Sequence, residues 1–346
     1  MMGRTVWRDI MDRTHVFDLH CDTLDSLAWP KLPPELDGGS VFYDPSDEGK
    51  VTPGELTDFA DAGHGHLSLP RMGRFAWCQC MAVFIPDTLT VEQSATFFDI
   101  VSTTLAEHIR LHPDLLAQAR SAGQIDGTLE SGRTCAILTI ENGKLLASSS
   151  DMIDHVAERG VRMLTLTWNA ANPLGSGHDT EQPLTRFGRD MVTSLEGHRI
   201  VVDVSHLNDP GFEDVRRIAR RPFVASHSNS RAVMDVPRNL TDDQFRAIRD
   251  AGGLVGLNFC RHFLSPSPDP TPAEVLAHVE HWLDLDGQDV VCLGSDYDGC
   301  DVPSWLAPAD HVSTLEDALV ADIGRELTDK LLFSNAHDFF VRNETD

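Results

Sequence analysis

The sequence predicts an α/β protein, a distorted (β/α)8 TIM-type barrel with a metal site at the carboxyl ends of its strands. Three observations carry this. Eight short apolar runs recur along the 346 residues, at 16–20, 77–84, 135–141, 162–168, 200–206, 222–227, 254–259 and 290–296, and eight strands close a (β/α) barrel. Most intervals between them hold a segment of 3.6-residue periodicity, which reads as helix. At least five runs end at a side chain able to bind a metal: His20 with Asp22, Glu141, His206, His227 and Asp296. Barrel strands present their chemistry at that end.

The first run leads into the stretch from Ala28 to Pro70, where Pro30, Pro33, Pro34, Gly38, Gly39, Pro45, Gly49, Pro53 and Gly54 break the rhythm. A loop insertion of about 28–70 at this end of a strand reads as a lid over the site. The second run holds Cys78 and Cys80, read as facing opposite sides of the strand and so not as a thiolate metal site. Helical periodicity follows at 91–111, then the run 135–141 and a helix at 152–159. After 162–168 comes an excursion at 169–183 rich in Gly, Asn and Asp. Helices are expected at 186–196, 211–219, 241–251 and 273–283, with Asp209-Pro210 and Thr241-Asp242-Asp243 as caps. Residues 312–340 read as closing helices. Near-continuous apolar strands alternating with helices argue a parallel sheet covered on both faces, and residues 1–346 read as a single barrel domain.

Composition narrows the partners. Acidic residues number 54 against 28 basic, a formal charge of −26, which repels nucleic-acid backbones. No stretch approaches the roughly 18 to 20 apolar residues of a membrane helix. The N-terminus is charged throughout and lacks the apolar core of a secretory signal. A cytoplasmic protein with neither nucleic acid nor membrane as partner is expected. Seven cysteines, mostly inside apolar runs, read as buried reduced thiols.

Within the constellation, His20 and Asp22 are two apart on a strand and so share a side. Glu141 would be an unpaired charge in a barrel interior without a cation or an arginine. His206 and His227 end two runs 21 residues apart. Three carboxylates and three imidazoles on one rim balance two divalent cations better than one. Such pairs generate a hydroxide nucleophile near neutral pH and polarise a carbonyl, so the reaction class is hydrolysis. Only four residues are Lys (Lys31, Lys50, Lys144, Lys330) and none ends a strand. A carboxylated lysine cannot bridge the ions, and Glu141 is the candidate bridge.

The motifs FDLHCDTL at 17–24, HLSLPR at 66–71, LTLT at 164–167, VDVSH at 202–206, SHS at 226–228, RN at 238–239 and GSDYDG at 294–299 make this chain resemble the membrane (renal) dipeptidase family, in particular its soluble bacterial members. The resemblance implies a distorted (β/α)8 barrel with two zinc ions that cleaves dipeptides, often with a D-residue at the carboxyl end. It implies a first ion on His20, Asp22 and Glu141 and a second on Glu141, His206 and His227. Asp296 looks like the acid that takes a proton from the bridging water and passes it to the leaving amine. Arg238 resembles the arginine that grips the substrate carboxylate, a task suited to a guanidinium. Two departures stand out. Trp168 follows LTLT where mammalian members have a histidine, and His178 is the candidate replacement from the loop. Cys260 stands where members often have a substrate-contacting aromatic.

The leading expectation is thus a zinc dipeptidase acting on L-Xaa-D-Xaa dipeptides among others, with assembly as a homodimer left open. One alternative is a binuclear hydrolase of another small amide, lactam or ester, since loops retune barrel sites. Another is a binding protein without turnover. Trp168, His178 and Arg238 are the residues expected to set preference. Asp18, Asp203 and Asp298 are read as hydrogen-bonding support for the metal histidines, and His64 and His66 as packing or solvent-facing residues.

Overall fold

The computed structural model describes residues 13–36 and 56–345. Its strands are β1 His15–Asp18, β2 Ala76–Phe84, β3 Leu116–Gln118, β4 Thr134–Glu141, β5 Val161–Thr165, β6 Val201–Asp203, β7 Val255–Leu257 and β8 Val291–Leu293. Seven of them run β6-β5-β4-β2-β1-β8-β7, all pairs parallel, and β3 joins β4 off that path. The gap between β6 and β7 is filled by the 222–227 run. Val224 bridges to Asp203 and Ala225 to Val255, and Val204 N donates to Val224 O at 2.8 Å and Ala225 N to Leu254 O at 2.9 Å. The curled parallel sheet is the distorted (β/α)8 barrel that the eight runs predict.

Residues 222–227 hold their place by single bridges rather than by a ladder, and glycines on the neighbouring runs admit them. A Cβ on Gly256 or Gly294 would lie 1.8 Å from the Ser226 carbonyl oxygen; only glycine permits so close a backbone approach. The approach sets Ser226 and His227 at the barrel rim. Among the elements that escape the sequence reading are β3 and the helix Ala122–Glu130. A three-residue strand is too short to show a period.

Every residue of β2 and β4 is buried, as two covered faces require. Phe17, Cys78, Cys80, Cys135, Ile137, Met163, Val224 and Cys292 fill the interior, while Trp77, Val83, Ala136, Leu138 and Ile140 face the helical shell. Cys78 and Cys80 therefore share the interior face, since alternate residues of a strand point the same way. This corrects their assignment to opposite sides. No metal-capable group among the described residues includes either, and all seven cysteines are buried.

The helix Asn335–Thr345 packs into the amino-terminal end of the barrel: Phe340 stacks on Phe17 with centroids 5.3 Å apart, and Asn335 Nδ2 donates to Val291 O at 2.8 Å. With that end filled by apolar side chains, polar residues collect at the opposite rim. Of the insertion after β1, the structure describes short 3-10 turns at Trp29–Lys31 and Pro34–Leu36 and the helix Leu69–Met72. Residues 37–55, the centre of the expected lid, lie outside the described residues. Among the described residues no helix is long and apolar enough to cross a membrane.

Candidate metal centre

The ends of β1, β4 and β6, the 222–227 run and the loop after β8 bring six side chains together. Glu141 is at the middle. Its Oε2 lies 3.2 Å from His20 Nε2, while its Oε1 lies 2.8 Å from His206 Nε2 and 3.8 Å from His227 Nε2. On the Oε2 side, His20 Nε2 is 3.5 Å from Asp22 Oδ1 and 4.0 Å from Asp296 Oδ1. Every one of the six is buried or nearly so. One carboxylate therefore addresses two separate sets of donors with its two oxygens.

The backbone is bent to present them. Asn142, His206, Asp296 and Asp298 adopt left-handed φ values of 73°, 66°, 64° and 64°. Each costs a non-glycine residue on the order of 1–3 kcal/mol, a strain that concentrates at functional sites. Hydrogen bonds offset it. Asp203 accepts from Thr165 Oγ1 at 2.6 Å, Ser226 Oγ at 2.5 Å, Ser205 N at 3.0 Å and Ser226 N at 2.9 Å. Asp18 accepts from Ser295 N, Ser295 Oγ and His20 N. Asp298 does not support a histidine of the cluster. It accepts from Thr23 Oγ1 and His66 N and fastens the 66–67 segment to the rim.

Tautomers follow from these contacts. His206 Nδ1 is 2.8 Å from Asn169 Oδ1, an acceptor, so Nδ1 carries the hydrogen. Ser226 Oγ spends its hydrogen on Asp203 and so accepts from His227 Nδ1 at 2.7 Å. Both Nε2 atoms are thereby bare, yet they face each other at 2.9 Å. Two opposed lone pairs repel, and a cation relieves that repulsion. His20 Nε2 and Asp22 Oδ1 are likewise buried without hydrogen-bond partners.

Charge makes the same demand. Asp22, Glu141 and Asp296 are buried beside one guanidinium, Arg238, and an uncompensated buried charge costs several kcal/mol. Burial pushes Glu141 up to about 7, with His20 opposing and Asp22 adding to the rise. Asp296 is raised, again chiefly by burial. Burial works to lower His20, but Glu141 and Asp22 outweigh it and hold the imidazolium well above its ordinary range. Burial keeps His206 and His227 well below theirs. The donor set fits divalent cations, whose binding would displace the proton on His20.

A cleft of ≈ 190 Å³ opens onto the cluster, walled by Trp29, Phe84, Trp168, His178, Cys260 and Phe263 together with Glu141 and Asp296. Trp168 meets Phe84 edge-on at 4.8 Å. His178 approaches His206 with centroids 5.8 Å apart, its Nδ1 buried without a partner. Arg238 lies behind the cleft wall, donating to Ser228 Oγ and His227 O at 2.9 Å each, with Phe263 5.6 Å below it and its Nε unmatched. Lys144 is turned away and donates to Asp87 O and Leu89 O. His66 packs under Asp298, and His64 pairs with Asp61 at the surface.

Sequence reasoning missed three supporting residues. Asn258 Nδ2 donates to Asp296 Oδ2 at 3.1 Å, Asn169 orients His206, and Asp25 places a buried carboxyl in the cleft wall, raised well above its ordinary range by burial and then by Asp22. Asn258 sits near the end of its apolar run like the metal-capable residues, but an amide there carries no metal-ligating signal.

Comparison with known proteins follows the same line. The family described as membrane dipeptidase (peptidase family M19) matches residues 4–339. A metallopeptidase of Rhodobacter sphaeroides, solved with a phosphinate mimic of the dipeptide L-Ala-D-Ala, is similar with a TM-score of 0.83 and 28% identity over 96% of this chain and 100% of its own. The metallopeptidase dipeptidase AC of family M19 gives 0.84 and 29% over 96% and 99%. A Klebsiella pneumoniae protein from the pqqA 5′ region is 39% identical over 189 residues, 51% of this chain and 70% of that one. A whole-length match, on a barrel that gathers buried carboxylates and imidazoles at its carboxyl rim, makes this chain a member of the membrane dipeptidase family of metallopeptidases, peptidase family M19.

Proposed function

We propose that the protein is a two-zinc dipeptidase, with His20, Asp22 and Glu141 holding one ion and Glu141, His206 and His227 the other. The observation that carries this is the split of Glu141, one oxygen toward His20 and the other toward His206 and His227. When bound, the ions lower the pKa of a water and polarise the scissile carbonyl. Asp296, held through Oδ2 by Asn258 and raised by burial, takes the proton of the attacking water and returns it to the leaving amine. Asp296 Oδ1 also stands within reach of the first ion's ligands. Arg238 binds the substrate carboxylate: its Nε has a donor to give, and the Ser228 hydroxyl on Nη1 can yield. His178, kept below its ordinary pKa by burial and then Arg238, is a neutral donor for the oxyanion growing on the carbonyl. Trp168 and Phe84 shape the side-chain wall.

The cleft volume suits a small substrate, and the dipeptide mimic bound by the Rhodobacter relative supports activity on L-Xaa-D-Xaa. A panel of L-L and L-D dipeptides, each also amine-blocked or carboxyl-amidated, tests this with zinc-loaded protein. Cleavage of L-D pairs that needs both free ends is expected. Turnover of lactams, esters or capped amides with none of the dipeptides would move the assignment to another small substrate.

A further inference from the structure

A second group of donors lies away from the cleft. His108 and His112 are four residues apart at the end of the helix Val91–Leu111, a spacing that sets both on one face. Asp58, from the later part of the insertion, places Oδ1 2.6 Å from His112 Nε2. One donor atom from each of the three lies within 4.8 Å of the others. His108 is 3% exposed, and its Nδ1 has no hydrogen-bond partner among the described residues. The contact between Asp58 and His112 accounts for two of these residues and leaves the third unmet. The nearby Lys31 ammonium is committed to Thr104 Oγ1 and Glu107 Oε2, at 3.2 and 2.6 Å. Burial, then Lys31, keeps the His108 imidazole below its ordinary pKa and so unprotonated, the form that ligates.

We propose that His108, His112 and Asp58 form a further divalent-metal site, separate from the catalytic cleft, which fastens the chain around Asp58 to the end of the long helix. Two imidazoles and one carboxylate are a zinc donor set with a fourth position left for water; magnesium and calcium prefer oxygen ligands alone. His112 and Asp58 are more exposed than His108, so His112→Ala and Asp58→Ala test the site with less risk to folding. Wild type and both variants are stripped with a chelator, loaded with zinc, desalted and counted by mass spectrometry of the metal. Each variant is expected to retain one zinc per chain fewer than wild type, with dipeptide hydrolysis unchanged and with zinc no longer protecting the chain around Asp58 from limited proteolysis. The difference between the counts does not depend on how many ions the cleft holds, so this site and the two-metal reading fail separately. A wild-type zinc count in either variant overturns the proposal.

Discussion

Glu141→Gln is expected to lower kcat/KM for dipeptides by more than about 100-fold, above the cost of losing a residue that merely supports a ligand. An amide keeps the size of the side chain but has one oxygen, and Glu141 uses two. Its NH2 would face either His20 on one side or His206 and His227 on the other, so one set of donors loses its shared carboxylate. Metal content should fall with activity. A variant that retains two zinc ions and near-native turnover would show that the glutamate does not bridge. Measuring metal content and kinetics on one preparation separates loss of the ions from loss of chemistry.

Asp296→Asn is expected to reduce kcat by about 10²- to 10⁴-fold, the usual contribution of a positioned general acid–base group, with a smaller change in KM. The amide keeps an oxygen toward His20 and fills the same space, but it cannot accept and return a proton. Asn258 would then face an amide in place of a carboxylate oxygen. Steady-state kinetics with zinc content verified at the native level is the check. Turnover within tenfold of the parent enzyme would assign the proton transfer to another group.

Much of this site is legible because barrel geometry turns a one-dimensional signal into a spatial one. A run such as 135–141 alternates Cys135, Ile137 and Thr139 inward, and the same period carries Glu141 to the rim. Equivalent logic brings in His20, Asp22, His206, His227 and Asp296. What escapes the sequence is whatever does not repeat. Asn169 reaches His206 from an irregular loop, and no periodicity marks an amide that sets a tautomer. The left-handed φ at His206 and Asp296 is equally hidden, because neither residue type announces it as glycine would. Residues 222–227 read as a full strand, yet their neighbours at Gly256 and Gly294 draw the backbone too close for a regular ladder. Arg238 is recognised from its motif alone, since nothing in its local sequence shows that the fold buries its guanidinium next to the cluster.

The most direct test of the two-metal dipeptidase is anomalous diffraction at the zinc edge from crystals loaded with zinc and a phosphinate mimic of an L-D dipeptide. Two peaks flanking Glu141 are predicted, one beside His20 and Asp22 and one beside His206 and His227, with the mimic's phosphinate against both and its carboxylate toward Arg238. A single peak, or a mimic bound away from Glu141, would contradict the account.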